Sequence, residues 1–201
     1  MLKADEMMAI FNLAVEDYHK TDNVDQVIKN PFPKDSMQEM LYAKNWIDTV
    51  QWHLEDIIRD PAIKADKALE IKRRIDASNQ DRTDMVEQID DAILALYQGV
   101  KLQSFARLNT ESPAWAIDRL SILALKIYHM EIEANRDDIA EELKAKNQHK
   151  LSVLKVQEVD LSSAINQLLE DLATGKRIAK VYRQMKMYND PELNPVLYQN
   201  K

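Results

Sequence analysis

The sequence predicts an all-α protein, an antiparallel helical bundle of about five main helices, one of them very long. The chain of 201 residues has only two glycines, Gly99 and Gly175, which argues against a turn-rich β fold. Hydrophobic residues make up 45% of the chain, enough for a sizeable core. Each clear hydrophobic repeat has helical spacing. We therefore expect one helical domain over residues 1–201 and no sheet.

The bounds of the helices follow from caps and prolines. Asn30-Pro31 and Phe32-Pro33 exclude helix, so residues 20–35 are predicted as a connection. Ser36 and Ser112 have the position of N-caps, and the second is followed by a proline. The first three predicted helices cover about residues 3–19, 36–59 and 66–97. The fourth begins at residue 113, and the fifth covers residues 137–173. A short basic helix is predicted after Gly175, followed by an extended tail over residues 190–201.

Two of these helices have a distinctive pattern. The fourth is apolar on nearly all sides, which places it at the centre of the bundle. The fifth carries a heptad-like seam that begins at Leu143, ends at Leu172 and is interrupted by Asn147 and Glu158. We expect this seam to pair with a helical protein partner or with a second copy of the chain.

Composition limits the classes of function. The net charge of −7 disfavours nucleic-acid binding. The chain has no cysteine, which suits a reducing compartment, and no apolar run long enough for a membrane span. The stretch "LKADEMMAIF" after Met1 is too short and too acidic for a signal peptide, so we expect a cytoplasmic protein. Residues 175–189 contain five bases and no acid, and they either neutralise acids of the bundle or bind phosphate.

Arg82 lies inside the apolar stripe of the third helix. An unpaired buried charge costs several kcal/mol, so this guanidinium must meet a carboxylate or an anionic ligand, or extend to solvent. The carboxylate is expected to come from the second helix or from Asp118 of the fourth. If a ligand binds instead, Lys72 and Asn79 would contact it together with Arg82.

An acidic ridge, Asp84, Glu87 and Asp90, lies beside that stripe. Like charges three residues apart repel one another, and no lysine follows at i+4 to relieve them. The ridge is therefore fully solvated, or is compensated by a basic protein element or by a divalent cation such as Mg²⁺. In the last case Asp56 and Asp60 of the second helix would add metal ligands.

His53 lies on the border of the second helix among three acids, Glu55, Asp56 and Asp60. It is either a structural histidine or a general acid–base or metal ligand whose pKa the acids raise. His129 is a second candidate. The candidate catalytic residues are His53, Glu55, Asp56 and Glu87.

Four segments together resemble a family of bacterial proteins known only as a domain of unknown function, number 4254. They are "NWIDTVQWHLEDIIRDP", "KRRIDASNQDRTDMVEQID", "SPAWAIDRLSILALKIYHM" and "KVYRQMKMYNDPELNP". The resemblance runs from about residue 40 to the C-terminus and implies one helical domain but no chemistry. Glu87 and Asp90 are also similar to half of the metal-binding pattern of all-α nucleotide pyrophosphohydrolases, whose double-glutamate half is missing here.

Two functions are consistent with this sequence. The first is an interaction or scaffold module held together by internal ion pairs. The alternative is a metal-assisted hydrolase or binder of a phosphorylated metabolite, with an acidic and histidine-containing cleft between the second and third helices.

Overall fold

Five long helices build the protein, as the sequence predicts. The computed structural model describes residues 1–184, 187 and 190–199. The long helices are α1 (Ala4–His19), α2 (Met37–Ile57), α3 (Ala65–Leu96), α4 (Pro113–Ala134) and α5 (Glu141–Ala173). No helix of the described residues is both long and apolar enough to cross a membrane.

The local signals place most helix ends correctly. The hydroxyl of Ser36 accepts a hydrogen bond from the backbone N–H of Glu39 at 3.1 Å, which caps α2. One start is wrong, because α5 begins at Glu141 and not at residue 137. Asp137 and Asp138 lie ahead of it, where they form ion pairs with Lys144 at 2.7 Å and Arg136 at 2.9 Å. These acids hold the α4–α5 connection instead of opening the helix.

The predicted basic helix after Gly175 is wrong over its described residues. Here β1 (Arg107–Leu108) and β2 (Arg177–Ile178) form a short parallel pair, which also corrects the expectation of no sheet. Gly175 reverses the chain with φ of 71°, and a Cβ there would lie 2.3 Å from the carbonyl oxygen of Lys101. Bases three and four residues apart repel one another along a helix, so the segment pairs with the α3–α4 connection instead.

The other described residues after β2, namely 179–184, 187 and 190–199, are irregular apart from one short turn of helix. Met185 and Lys186, which were part of the predicted basic helix, lie outside the described residues. In the tail that was predicted as extended, α6 (Pro195–Tyr198) forms one helical turn. Proline is tolerated at its first position because the N–H that it lacks would have no partner there.

The core is organised around α4, as its apolar sequence predicts. This helix contacts α1, α2, α3 and α5, and its Ile117, Leu120 and Ala124 are fully buried. The seam of α5 also faces inward: Leu151, Leu154 and Leu161 pack against the core, and Ile165 is part of it. These residues of the seam therefore serve the folding of the chain itself, and pairing with a partner or a second copy stays a prediction.

Candidate functional site

A buried network of charges joins α2, α3 and α4. Both oxygens of Asp118 accept hydrogen bonds from Arg82, from Nε at 3.0 Å and from Nη2 at 2.5 Å. The predicted pairing of Arg82 with Asp118 is confirmed. The arginine side chain is 25% exposed, so it reaches the network from the protein surface.

Lys44 completes this network from the opposite side. Its side chain is fully buried, and its ammonium group donates to Asp118 at 2.8 Å and also to Asp48. Asp48 further accepts from the hydroxyl of Ser121 at 2.6 Å. Burial raises the pKa of Asp48. Two cations therefore meet two carboxylates, and their interaction fixes the register of three helices.

A cavity of about 350 Å³ opens above the network, lined by residues of α2 and α4 and by Arg82 of α3, whereas the cleft was predicted between α2 and α3. Of the predicted site residues, it brings together Glu55, Asp56 and Arg82. The other residues that line it are Asp48, Gln51, Trp52, Arg59, Ile122 and Leu125. Its charged groups are largely matched: Arg59 pairs with Glu55 at 2.6 Å, and Arg82 is held by Asp118.

The acidic ridge faces a basic protein element. Arg183 of the C-terminal segment forms ion pairs with Glu87 at 3.0 Å and with Asp91 at 2.8 Å. Asp90 is buried and accepts from the backbone N–H of Ala114 at 2.9 Å, so it caps α4. Of the three options for the acidic ridge, the structure therefore shows the basic protein element, because Arg183 offsets the negative charge of Glu87.

The remaining predicted residues have local partners and do not join the cavity. Asp60 accepts from the backbone N–H of Ala62 at 2.8 Å, and Asp84 from Gln80 at 2.7 Å. Lys72 forms an exposed ion pair with Asp76. Asn79 accepts from Gln51 at 2.9 Å, one residue removed from the cavity.

The histidines form a second feature of the molecule. One ring nitrogen from each of His19, His53 and His129 lies within 4.8 Å of the others. The two Nε2 atoms of His19 and His53 are 3.1 Å apart. Nδ1 of His19 lies 2.7 Å from the carbonyl oxygen of Val15, which makes Nδ1 the protonated nitrogen. Nε2 of His19 therefore accepts a hydrogen bond from Nε2 of His53 in the metal-free protein. Nε2 of His129 is buried and has no hydrogen-bond partner among the described residues.

Each imidazole of this histidine cluster lies against an aromatic ring. The ring of His53 stacks on Tyr18 with centroids 5.2 Å apart. That of His129 stacks on Trp52 at 4.8 Å, and that of His19 lies 4.4 Å from Tyr128. Such contacts limit the rotation of the three rings, so their nitrogens are held close together before any ligand binds.

Carboxylates surround the cluster. Asp22 adopts a positive φ of 51° just after α1, and its Oδ1 lies 3.6 Å from Nε2 of His53. The pKa of His129 is lowered to about 4, chiefly by burial and also by the charges of His19 and His53, against the opposite effect of Asp56 and Asp22. The pKa of His53 is also lowered, chiefly by burial. The acids therefore do not raise the pKa of His53 as the sequence analysis expected, because burial dominates.

These pKa shifts predict that the metal-free protein loses stability in mild acid. A histidine is half protonated near pH 6.5 when unfolded, whereas folded His129 stays neutral down to about pH 4. The contribution of His129 to the free energy of unfolding is complete above pH 6.5. It is lost as the pH falls below that value, because the unfolded chain then binds more protons than the folded chain does. From pH 7 to pH 5 we expect a loss of about 1–2 kcal/mol, measured by urea unfolding in EDTA.

The variant His129→Gln should lose most of this pH dependence. His149 is exposed and outside the cluster, so His149→Gln is the matched control and should keep the wild-type slope. Equal slopes in wild type and His129→Gln would contradict the assignment to this imidazole.

Sequence reasoning missed His19 and Lys44. Both His19 and His129 directly follow a tyrosine at the edge of an apolar face, but nothing in the sequence brings α1 beside α4. Lys44 lies three residues after Leu41 and four before Asp48, within the apolar face of α2. This position was a signal of a buried ion pair that could have been found on the helical wheel.

Comparison with known proteins identifies a family. The model of the family described as "Protein of unknown function (DUF4254)" matches residues 38–181, well over half of the chain. The match includes His53, His129 and the whole charge network, whereas His19 and Asp22 precede it. No curated protein and no solved structure matches the chain.

Proposed function

The chain belongs to this family of unknown function, DUF4254, and since the description assigns no activity, we propose a function from the histidine geometry. The protein binds one divalent transition-metal ion. His19, His53 and His129 supply the ligand nitrogens, and the ion lies between α1, α2 and α4.

The close approach of the three ring nitrogens carries this proposal. A zinc ion bound at 2.0–2.1 Å by tetrahedral ligands holds them roughly 3.3 Å apart. The 3.1 Å between the Nε2 atoms of His19 and His53 is close to that separation. The third nitrogen, from His129, lies within 4.8 Å of the other two.

The surroundings of the histidines support the same proposal. The carbonyl oxygen of Val15 holds the His19 tautomer that a metal requires, an arrangement common around metal-binding histidines. The lowered pKa of His53 and of His129 keeps both rings neutral at pH 7, and only a neutral ring can bind a metal. Asp22 provides a carboxylate beside the same nitrogens.

Three imidazoles indicate the class of metal. Imidazole suits zinc, copper, iron and nickel, whereas Mg²⁺ prefers oxygen ligands. The donor set therefore favours a transition metal over the Mg²⁺ that the acidic ridge suggested. Three protein ligands leave one coordination position open, as in zinc sites that activate water or polarise a substrate.

Isothermal titration with Zn²⁺ and Ni²⁺ tests the proposal. After treatment with EDTA and removal of the chelator, the wild-type chain should bind one ion per molecule at pH 7.5. In His53→Ala we expect an affinity at least about 100-fold lower, because loss of an outer hydrogen-bond partner alone costs 10–100-fold. The variant His149→Gln removes a histidine outside the cluster and should bind as wild type does.

Two results would overturn this function. One is an equal loss of affinity in His53→Ala and His149→Gln, which would indicate binding to histidines without regard to geometry. The other is a wild-type chain that binds neither ion with a stoichiometry of one.

The predicted interaction role is now limited to other surfaces. Since Leu151, Leu154 and Leu161 of the seam pack against the core, a partner or second copy that binds α5 would contact its outer side, where Val156 and Val159 are 61% and 68% exposed. Such association and a cytoplasmic location stay predictions from the sequence.

A further inference from the structure

An apolar cavity between α4 and α5 lies beside the proposed metal site and has His129 in its wall. Its volume is about 550 Å³, which is within the range of small-molecule sites in proteins. Trp52 of α2 contributes to its wall and separates it from the smaller cavity above the charge network. The residues that line it are Trp52, Lys126, His129, Met130, Glu133, His149, Lys150, Val153 and Leu154.

The walls of this cavity are formed by residues three and four apart on α4 and on α5. Met130 of α4 lies four residues after Lys126, and on α5 Val153 and Leu154 lie three and four residues after Lys150. These spacings put each set on one face of its helix. Val153 is 42% exposed, so apolar surface that the fold leaves open to solvent lines the cavity. An apolar ligand gains free energy by covering such surface.

The charged residues around the cavity favour a negatively charged ligand. Glu133 forms an ion pair with Arg136 at 3.0 Å, and Arg136 also pairs with Asp138. By contrast, Lys126 and Lys150 are exposed, and neither forms an ion pair with any carboxylate of the described residues. The chain as a whole carries −7, so two unmatched cations beside an apolar cavity are a local reversal of its charge.

We propose that this cavity binds a small amphipathic carboxylic acid, with its apolar body between Trp52, Met130 and Val153 and its carboxylate at Lys126 or Lys150. The cavity adjoins the proposed metal site, because His129 contributes to its wall and stacks on the ring of Trp52. A metal is not needed for the binding of the acid.

Calorimetric titration in EDTA, with three probes, tests this proposal. Octanoate has both an alkyl chain and a negative charge, octanol has the alkyl chain alone, and acetate has the charge with almost no apolar body. We expect one octanoate per protein, at least tenfold weaker binding of octanol, and no binding of acetate. The variant Lys126→Gln/Lys150→Gln should bind octanoate no more tightly than octanol.

Two exposed valines of α5 offer a matched pair of variants. Val153→Glu introduces a carboxylate into the cavity and should weaken octanoate binding at least tenfold. Val156 is exposed outside the cavity, so Val156→Glu adds the same charge and should bind as wild type does. Melting curves of the two variants show whether either substitution perturbs the fold.

Three results would overturn the proposal. Octanol that binds as tightly as octanoate would remove the role of the lysines. Equal affinities in Val153→Glu and Val156→Glu would place the binding elsewhere. Octanoate binding that requires added zinc, and that disappears in His53→Ala, would assign the carboxylate to the metal and leave the proposed metal site intact.

Discussion

The variant Lys44→Met is expected to lower the free energy of unfolding by about 3–5 kcal/mol. Lys44 is fully buried and contacts two carboxylates, Asp48 and Asp118. Methionine fills a similar volume without charge, so the loss reflects two buried acids left with one cation, Arg82. Urea unfolding followed by circular dichroism at pH 7 measures the change.

Two comparisons separate the buried charge from general effects of the substitution. In Lys44→Met/Asp48→Leu one acid still faces one arginine, so the double variant should be more stable than Lys44→Met, since apolar replacements of a buried ion pair are often neutral. Lys67 forms an exposed pair with Glu70 at 2.7 Å, and Lys67→Met should change stability by less than about 1 kcal/mol. A loss below about 1 kcal/mol in Lys44→Met itself would show that water reaches this lysine.

Zinc at about 1,000 times its dissociation constant is expected to raise the free energy of unfolding by about 4 kcal/mol. The three histidines are close together only in the folded chain, so the ion stabilises that state by mass action. The increment should disappear in His53→Ala and should decrease from pH 7.5 to pH 5, because protons compete for the same nitrogens. Thermal unfolding in the presence and absence of zinc measures both effects.

Magnesium is the matched control for this experiment. Mg²⁺ prefers oxygen ligands, so it should leave the melting temperature unchanged. An increase with Mg²⁺ that disappears in Glu87→Gln would instead assign the site to the acidic ridge, against its pairing with Arg183. An equal increase with zinc in wild type and His53→Ala would also contradict the three-histidine site.

Helical periodicity and caps were sufficient for the architecture. The core position of α4, the start of α2 after Ser36 and the connection over residues 20–35 all depend on neighbours within a few residues, and such information is local. The start of α5 was wrong because Asp137 and Asp138 pair with Lys144 and Arg136 instead of opening the helix. The basic segment was wrong because distant partners decide its structure. Gly175 lies against the backbone of Lys101, and β2 pairs with β1, more than sixty residues away in the chain.

The candidate sites divide in the same way. Arg82 in an apolar stripe had to meet an acid, because the free energy of an unpaired buried charge is prohibitive whatever the fold, and Asp118 could be named from the sequence. By contrast, the partner of Glu87 could not be named from the sequence, since Arg183 is 96 residues further along the chain.

The sequence by itself therefore determined the fold class, the central helix and the need of Arg82 for a partner. Only the tertiary structure decided that His19, His53 and His129 meet. They lie on three helices, and their approach depends on how α1 and α4 pack against α2. That packing is the sum of many weak apolar contacts, and no spacing along a single helix contains it.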